Sequence, residues 1–145
     1  MEPQTGYRPA MPTVTLDWDR DLRFDAYDSK GMPVDIDGRQ RSGAKPSDLL
    51  PLALASCSAT DVVLVLGDDE RVSLDGLTVE AHSTQQPDPP WTFRRIRLHY
   101  RLTGSGLTDE IVTEAIRRSH DEMCSVAASL RATVAIESTF EIVPS

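Results

Sequence analysis

Cysteine is scarce in this chain: two residues among 145, Cys57 and Cys124. Two thiols cannot build the disulfide framework of a small secreted scaffold. With the three histidines they also show none of the spacings that mark a zinc finger or ribbon. Net positive charge is lacking too. The formal charge is −8, so the surface repels phosphate backbones and anionic lipid, which excludes nucleic-acid binding as a first expectation. The first twelve residues hold Pro3, Pro9, Pro12 and Gly6 but no apolar core. They read as a loosely ordered arm over 1–12 and not as a signal peptide, which leaves 13–145 as one domain in a cytoplasmic protein. No internal repeat or low-complexity tract stands out.

What is present is one long apolar run, from Leu49 through Cys57 to Val62 and on to Leu66. Its length approaches that of a membrane span. Pro51, Asp61 and several hydroxyl residues argue instead for a buried helix, since an aspartate at a bilayer centre costs about 2.5–3.5 kcal/mol. Pro46-Ser47-Asp48 supplies an opening and Gly67 a stop. Pro51, inside those limits, removes one internal hydrogen bond and should bend the first turns. A helix apolar on nearly every face needs cover all round. A chain of this size provides little, so an intertwined dimer is one solution.

Around this helix the alternation is strand-like. Val14, Leu16 and Trp18, then Leu22, Phe24 and Ala26, alternate with polar residues across an acidic turn and predict a hairpin. A short strand at Val34–Ile36 follows. Leu77, Val79 and Ala81 mark a later strand, and Ile96, Leu98, Tyr100 and Leu102 share one face of the next. That strand's arginines read as a solvated face. Thr108 opens a helix with Ile111, Val112, Ala115 and Ile116 on one stripe, and a short helix follows at Ser125–Leu130. Val134, Ile136, Phe140 and Ile142 close the chain as a strand. The order is strands, long helix, two strands, two helices, strand: an α+β class dominated by antiparallel pairing.

The chemistry rests on the two thiols. Two cysteines on two helical segments are either reduced core residues, the commoner fate of free cysteine, or a redox pair that meets on folding. In the second case Cys57 is the peroxidatic thiol, passing through a sulfenic acid, and Cys124 the resolving one. Asp61 lies one turn beyond Cys57 on the same helix face and opposes thiolate formation. Activation then calls for a cation from elsewhere, with Arg20, Arg23, Arg39 and Arg41 as candidates. His120, four residues before Cys124, leaves a Cys/His nucleophilic pair as a further alternative, without an evident oxyanion loop or third orienting residue. His82 and His99 sit on strands.

Lys45-Pro46-Ser47-Asp48-Leu49-Leu50, Leu54-Ala55-Ser56-Cys57-Ser58-Ala59-Thr60-Asp61-Val62 and, much later, Ser119-His120 with Met123-Cys124-Ser125-Val126 resemble the OsmC/Ohr family. The likeness spans roughly Pro12 to Val143, because the element order matches as well. The resemblance implies an intertwined homodimer, with antiparallel sheets around a long central helix and two active sites at the subunit interface. It implies a thiol peroxidase that reduces small hydrophobic organic or lipid hydroperoxides through Cys57 and Cys124. No bound cofactor is implied, and an external dithiol, such as a lipoylated protein, restores the oxidised pair. Ohr-type members place a glutamate directly after the proline that opens the helix. Here Ser47 stands there and Asp48 follows, so Asp48 is the candidate partner of the arginine. Arg20 falls near the Ohr-type arginine and is the favoured thiolate stabiliser, whereas Arg39 and Arg41 fall nearer the OsmC-type one. The segment from Cys57 to Asp61 looks closer to a less characterised OsmC-like branch. A binding protein on the same fold, holding a small hydrophobic or thiol ligand without turnover, is the second reading.

Overall fold

The computed structural model describes residues 12–144. The expected arm over 1–12 therefore lies, but for Pro12, outside the described residues. Two compact units emerge, one ending at Asp48 and the other starting at Leu49.

In the first unit, β1 (Thr15–Arg20), β2 (Arg23–Tyr27) and β3 (Pro33–Asp37) form an antiparallel meander. Period-two patterning sets the register. Leu16 faces Ala26, which faces Val34, and Trp18 faces Phe24, which faces Ile36. These apolar pairs share one face of the sheet. Even so, Val14, Leu16 and Trp18 remain exposed. The first turn holds Asp21 at φ 47, a left-handed conformation that aspartate tolerates, and the Trp18 indole N–H closes it on the Asp21 carbonyl at 2.9 Å. After β3 the buried Asp37 carboxylate organises the loop. It accepts the backbone N–H groups of Arg39 at 2.8 Å, Arg41 at 3.2 Å and Ser42 at 3.1 Å, and the Ser42 hydroxyl at 3.0 Å. Gly43 lies so close to the Asp35 backbone that an added Cβ would sit 2.7 Å from it.

The long helix α1 runs from Pro46 to Gly67, within the limits expected from Pro46 and Gly67. It continues past Pro51 as a single element. The helix is not covered on every side. Pro51, Leu54, Ala55, Ser58, Val62 and Leu66 form a buried stripe at three- and four-residue spacing, whereas Leu52, Val63 and Leu64 are exposed. By length and composition α1 could span a membrane. Its buried stripe is nevertheless part of the core of the second unit.

The rest of that unit is a three-stranded sheet of β4 (Ser73–Gln85), β5 (Phe93–Ser105) and β6 (Ala135–Ile142). β4 and β5 pair antiparallel. β6 runs parallel to β5, Ile96 facing Ile136 and Tyr100 facing Phe140, while the other three strand pairs are antiparallel, in keeping with the expected dominance of antiparallel pairing. Parallel neighbours need a long crossover. Here it comprises α2 (Asp109–Arg118), a π-helical turn over Ser119–Met123 and α3 (Ser125–Leu130). The Thr108 hydroxyl caps α2 by accepting the Ile111 N–H at 3.2 Å. Gly106, at φ +74 beside the Arg71 carbonyl, makes the turn out of β5 where no side chain would fit.

Ile96, Leu98, Tyr100 and Leu102 point into the core, as their alternation predicts, and meet Val112, Ala115 and Ile116 of α2 and the α1 stripe. Each of the large aliphatic residues contributes about 1.5–3 kcal/mol by leaving water. That core is the platform on which the thiols sit.

Candidate active site

Cys57 lies midway along α1, one residue before the buried Ser58, and keeps part of its surface exposed. Cys124 is placed differently. The π-helical turn ends on it, with its N–H donating to the Ser119 carbonyl at 2.7 Å. The backbone then becomes extended (φ −77, ψ 107), which makes Cys124 the N-cap of α3. Its Sγ accepts the Ala127 N–H at 3.3 Å. Cys124 is only 2% exposed.

Folding brings the two thiols together. The sulfurs of Cys57 and Cys124 and a carboxylate oxygen of Asp61 all lie within 4.8 Å of one another, and both cysteines are free. A disulfide needs its sulfurs at about 2 Å, so a modest closing movement separates this state from a bonded one. The two thiols are not equivalent. Burial pushes the Cys124 thiol up; the Ala127 N–H pulls the other way, and the adjacent Cys57 raises it further. The partly exposed Cys57 is thus placed to meet a reactant first, with a protonated, buried Cys124 behind it.

A chain of hydroxyls backs the pair. The Ser119 hydroxyl lies 2.9 Å from Asp61 Oδ2 and 3.1 Å from Ser58 Oγ. Ser58 in turn shares a hydrogen bond with the Tyr100 hydroxyl. Tyr100 Oη lies 3.3 Å from His120 Nε2, and the same ring nitrogen is 3.3 Å from Ser138 Oγ. Arg131 donates to the His120 carbonyl at 2.8 Å. Ser58, Tyr100 and Ser119 are fully buried. No buried side-chain nitrogen or oxygen among the described residues lacks a partner. Burial pushes the Tyr100 hydroxyl up and the His120 imidazole down, so at neutral pH both are uncharged. This network was not anticipated from the sequence. The available signal was a hydroxyl residue inside each core stripe, Ser58 between Leu54 and Val62 and Ser119 after Ala115 and Ile116.

The Cys124/His120 nucleophilic pair is not assembled: the ring partners of His120 are Tyr100 and Ser138. His82 pairs with Glu80 at 3.3 Å, and His99 meets Thr139 at 2.7 Å and Glu141 at 3.3 Å.

The arginine candidates belong to the first unit, where the side chains of Arg20, Arg23 and Arg39 have local acidic partners. Arg20, 77% exposed at its side chain, is 3.4 Å from Asp19. Arg23 reaches Asp19, Asp25 and Asp35. Arg39 makes a two-pronged pair with Asp21 at 2.6 and 3.0 Å, and holds the Asp21 carboxyl below the usual carboxylate range. The Arg41 N–H is bound to Asp37. Asp48 accepts a hydrogen bond from Gln40 at 3.1 Å and lies 3.7 Å from the Lys45 ammonium.

In this α+β chain a partly exposed thiol on a long helix lies beside a buried thiol that caps a short one. Residues 38–139 match the family described as OsmC-like protein, and the chain is a member of that family. It is 32% identical over 127 residues to protein YhfA of Escherichia coli K12, an alignment covering 87% of this chain and 94% of YhfA. The structure is similar to that of an OsmC-like protein from Mycoplasma pneumoniae, with TM-score 0.80, 17% identity and coverage of 94% of this chain and 99% of that one. It is also similar to the organic hydroperoxide resistance protein OhrB of Bacillus subtilis, with TM-score 0.59, 17% identity and coverage of 89% and 96%.

Proposed function

We propose that this protein is a thiol peroxidase acting on organic and lipid hydroperoxides. The observation that carries the reading is the approach of Cys57 and Cys124, two free thiols of unequal exposure within 4.8 Å. The Cys57 thiolate attacks the O–O bond of the hydroperoxide. Cys57 becomes a sulfenic acid, and the alcohol leaves with a proton taken up from solvent. The Cys124 thiol then condenses with the sulfenic acid, forming the disulfide and releasing water. An external dithiol, such as a lipoylated protein, reduces the disulfide by exchange and is itself oxidised. The protein needs no bound cofactor for these steps, and a reducing compartment such as the cytoplasm keeps the cycle supplied.

The reading assigns thiolate stabilisation to Arg20, with Asp48 as the arginine's partner. Arg20 beside Asp19, and Asp48 beside Gln40 and Lys45, would each exchange neighbours to serve. It also assigns a homodimer. The exposed Leu52, Val63 and Leu64 of α1 border, with Leu77 and Val79, a groove of about 530 Å³. A second copy is the natural cover for such a surface.

The test is peptide mapping of reduced protein after brief exposure to one equivalent of cumene hydroperoxide, with hydrogen peroxide in parallel. The expected result is an intramolecular Cys57–Cys124 disulfide that forms faster with the organic peroxide. Cys57→Ser should abolish peroxide consumption, while Cys124→Ser should leave a Cys57 sulfenic acid that a dimedone probe traps. Thiols that stay reduced would overturn the peroxidase reading. They would favour the ligand-binding alternative, to which the local acidic partners of Arg20, Arg23 and Arg39 lend support.

A further inference from the structure

We infer that Cys57, Asp61 and Cys124 form a site for a single borderline-soft divalent cation, zinc in the first place, which the reduced protein binds and the disulfide form does not. The inference uses the same thiols as the peroxidase reading but does not rest on it.

Folding supplies what the linear spacing does not. In a tetrahedral zinc site, Zn–S bonds of about 2.3 Å and Zn–O bonds of about 2.0–2.2 Å separate the ligand atoms by about 3.5–3.8 Å. The three candidate atoms already lie within 4.8 Å of one another. Bringing them onto one ion therefore takes a closing movement of no more than about 1.3 Å, within reach of small side-chain rotations. Cys57 and Asp61 stand one turn apart on α1, and i,i+4 neighbours share a helix face. Cys124 comes from the second segment, anchored through its N–H to Ser119.

Surrounding groups orient this set as outer groups do at metal sites. The Ser119 hydroxyl lies 2.9 Å from Asp61 Oδ2, which orients the carboxylate. The Ala127 N–H points at Cys124 Sγ at 3.3 Å, where it supports a thiolate. Two thiolates and a carboxylate carry three negative charges, and their mixed softness selects zinc or cadmium over magnesium or calcium. Cys57 is partly exposed, so water can complete the coordination.

Binding displaces the two thiol protons to solvent, with no change of oxidation state. Disulfide formation removes both thiolates, so the metal and the disulfide exclude each other. A resident cation would shield the pair until an oxidant displaces it.

Cadmium serves as the probe, because its thiolate bond gives an ultraviolet charge-transfer band. Titration of reduced protein should saturate at one equivalent, and zinc added afterwards should remove the band by competition. Protein first converted to the Cys57–Cys124 disulfide with diamide should show no band. Asp61→Asn should weaken binding at least about tenfold, since the loss even of an outer group costs about 10- to 100-fold. Cys57→Ser should abolish the one-equivalent step. Absence of the band in the reduced wild-type protein would overturn the inference whatever the variants do. Asp61→Asn binding as tightly as wild type would overturn the three-ligand site in favour of simple dithiol chelation. Because the readout is equilibrium binding, its failure leaves the peroxide test unaffected, and the reverse also holds.

Discussion

Replacing Tyr100 by phenylalanine tests whether the buried hydroxyl chain holds the thiols in place. The ring is fully buried, so phenylalanine keeps the packing and removes only the hydroxyl. Two hydrogen bonds are lost, one to Ser58 and one, at 3.3 Å, to His120. Neither partner is orphaned: Ser58 retains Ser119, and His120 retains Ser138. The cost is therefore the net value of one good bond and one long one, about 1–1.5 kcal/mol, and not the larger penalty of an unsatisfied buried group. For a chain of this length that lowers Tm by about 3–5 °C. Ser58 adjoins Cys57, and His120 lies four residues before Cys124, so the same loss loosens both thiols. If all of it fell on their alignment, disulfide formation would slow by at most about tenfold, since 1.36 kcal/mol is a decade in rate. Denaturant unfolding and stopped-flow oxidation measure the two effects. A double-mutant cycle with Ser58→Ala should show a coupling of about 0.5–1 kcal/mol. No stability loss, or two strictly additive variants, would refute the claim that the Ser58–Tyr100 bond ties α1 to the sheet.

Two further outcomes follow, one from burial and one from exposure. Burial holds the His120 imidazole below its ordinary 6.5. The stability this contributes is complete above that value and is lost as pH falls through the lower folded value, because the unfolded chain takes up the proton first. Melting temperature should therefore drop as pH falls below about 6.5. His120→Asn should reduce that slope; identical slopes would remove His120 as the cause. Leu64, 56% exposed on α1, should be covered by a second copy. Leu64→Asp should then sediment as a monomer where the wild type sediments as a dimer, and a wild type that is monomeric at micromolar concentration would sink the dimer.

The meander and the long helix were legible because each depends on a pattern local to the chain. Leu16 and Trp18 alternate in step with Phe24 and Ala26, and the register follows from putting like faces together. Pro46 and Gly67 bound α1 because proline tolerates the first turn and glycine ends a helix. Strand direction has no such local mark. The alternation of Ile136, Phe140 and Ile142 is the same in a parallel and an antiparallel ladder, and only the length of the α2–α3 crossover carries the difference. The π-helical turn was also silent. A widened turn has no residue signature in Ser119-His120-Asp121-Glu122-Met123, yet it delivers Cys124 to the N-cap of α3.

The site was legible only as far as its residue types go. Cys57 and Cys124 stood out because thiols are few, and their meeting could be stated as a possibility. Their difference in exposure could not, since Cys124, set among polar residues in the sequence, is the buried one, and Cys57, set in the apolar run, is the partly exposed one. It arises from placement: Cys57 faces partly outward between Ser56 and Ser58, while Cys124 is enclosed between the π-helical turn and α3. The arginines show the same limit from the other side. Charge alone nominates Arg20, Arg23, Arg39 and Arg41 equally. The partner each takes depends on which carboxylates the meander and the Asp37 loop bring alongside, and Arg39 with Asp21 is the tightest of these pairs. Roles at this site are therefore set by enclosure and neighbours more than by residue identity. Exchanging the exposures of the two thiols, with their identities unchanged, would exchange which one meets a peroxide first.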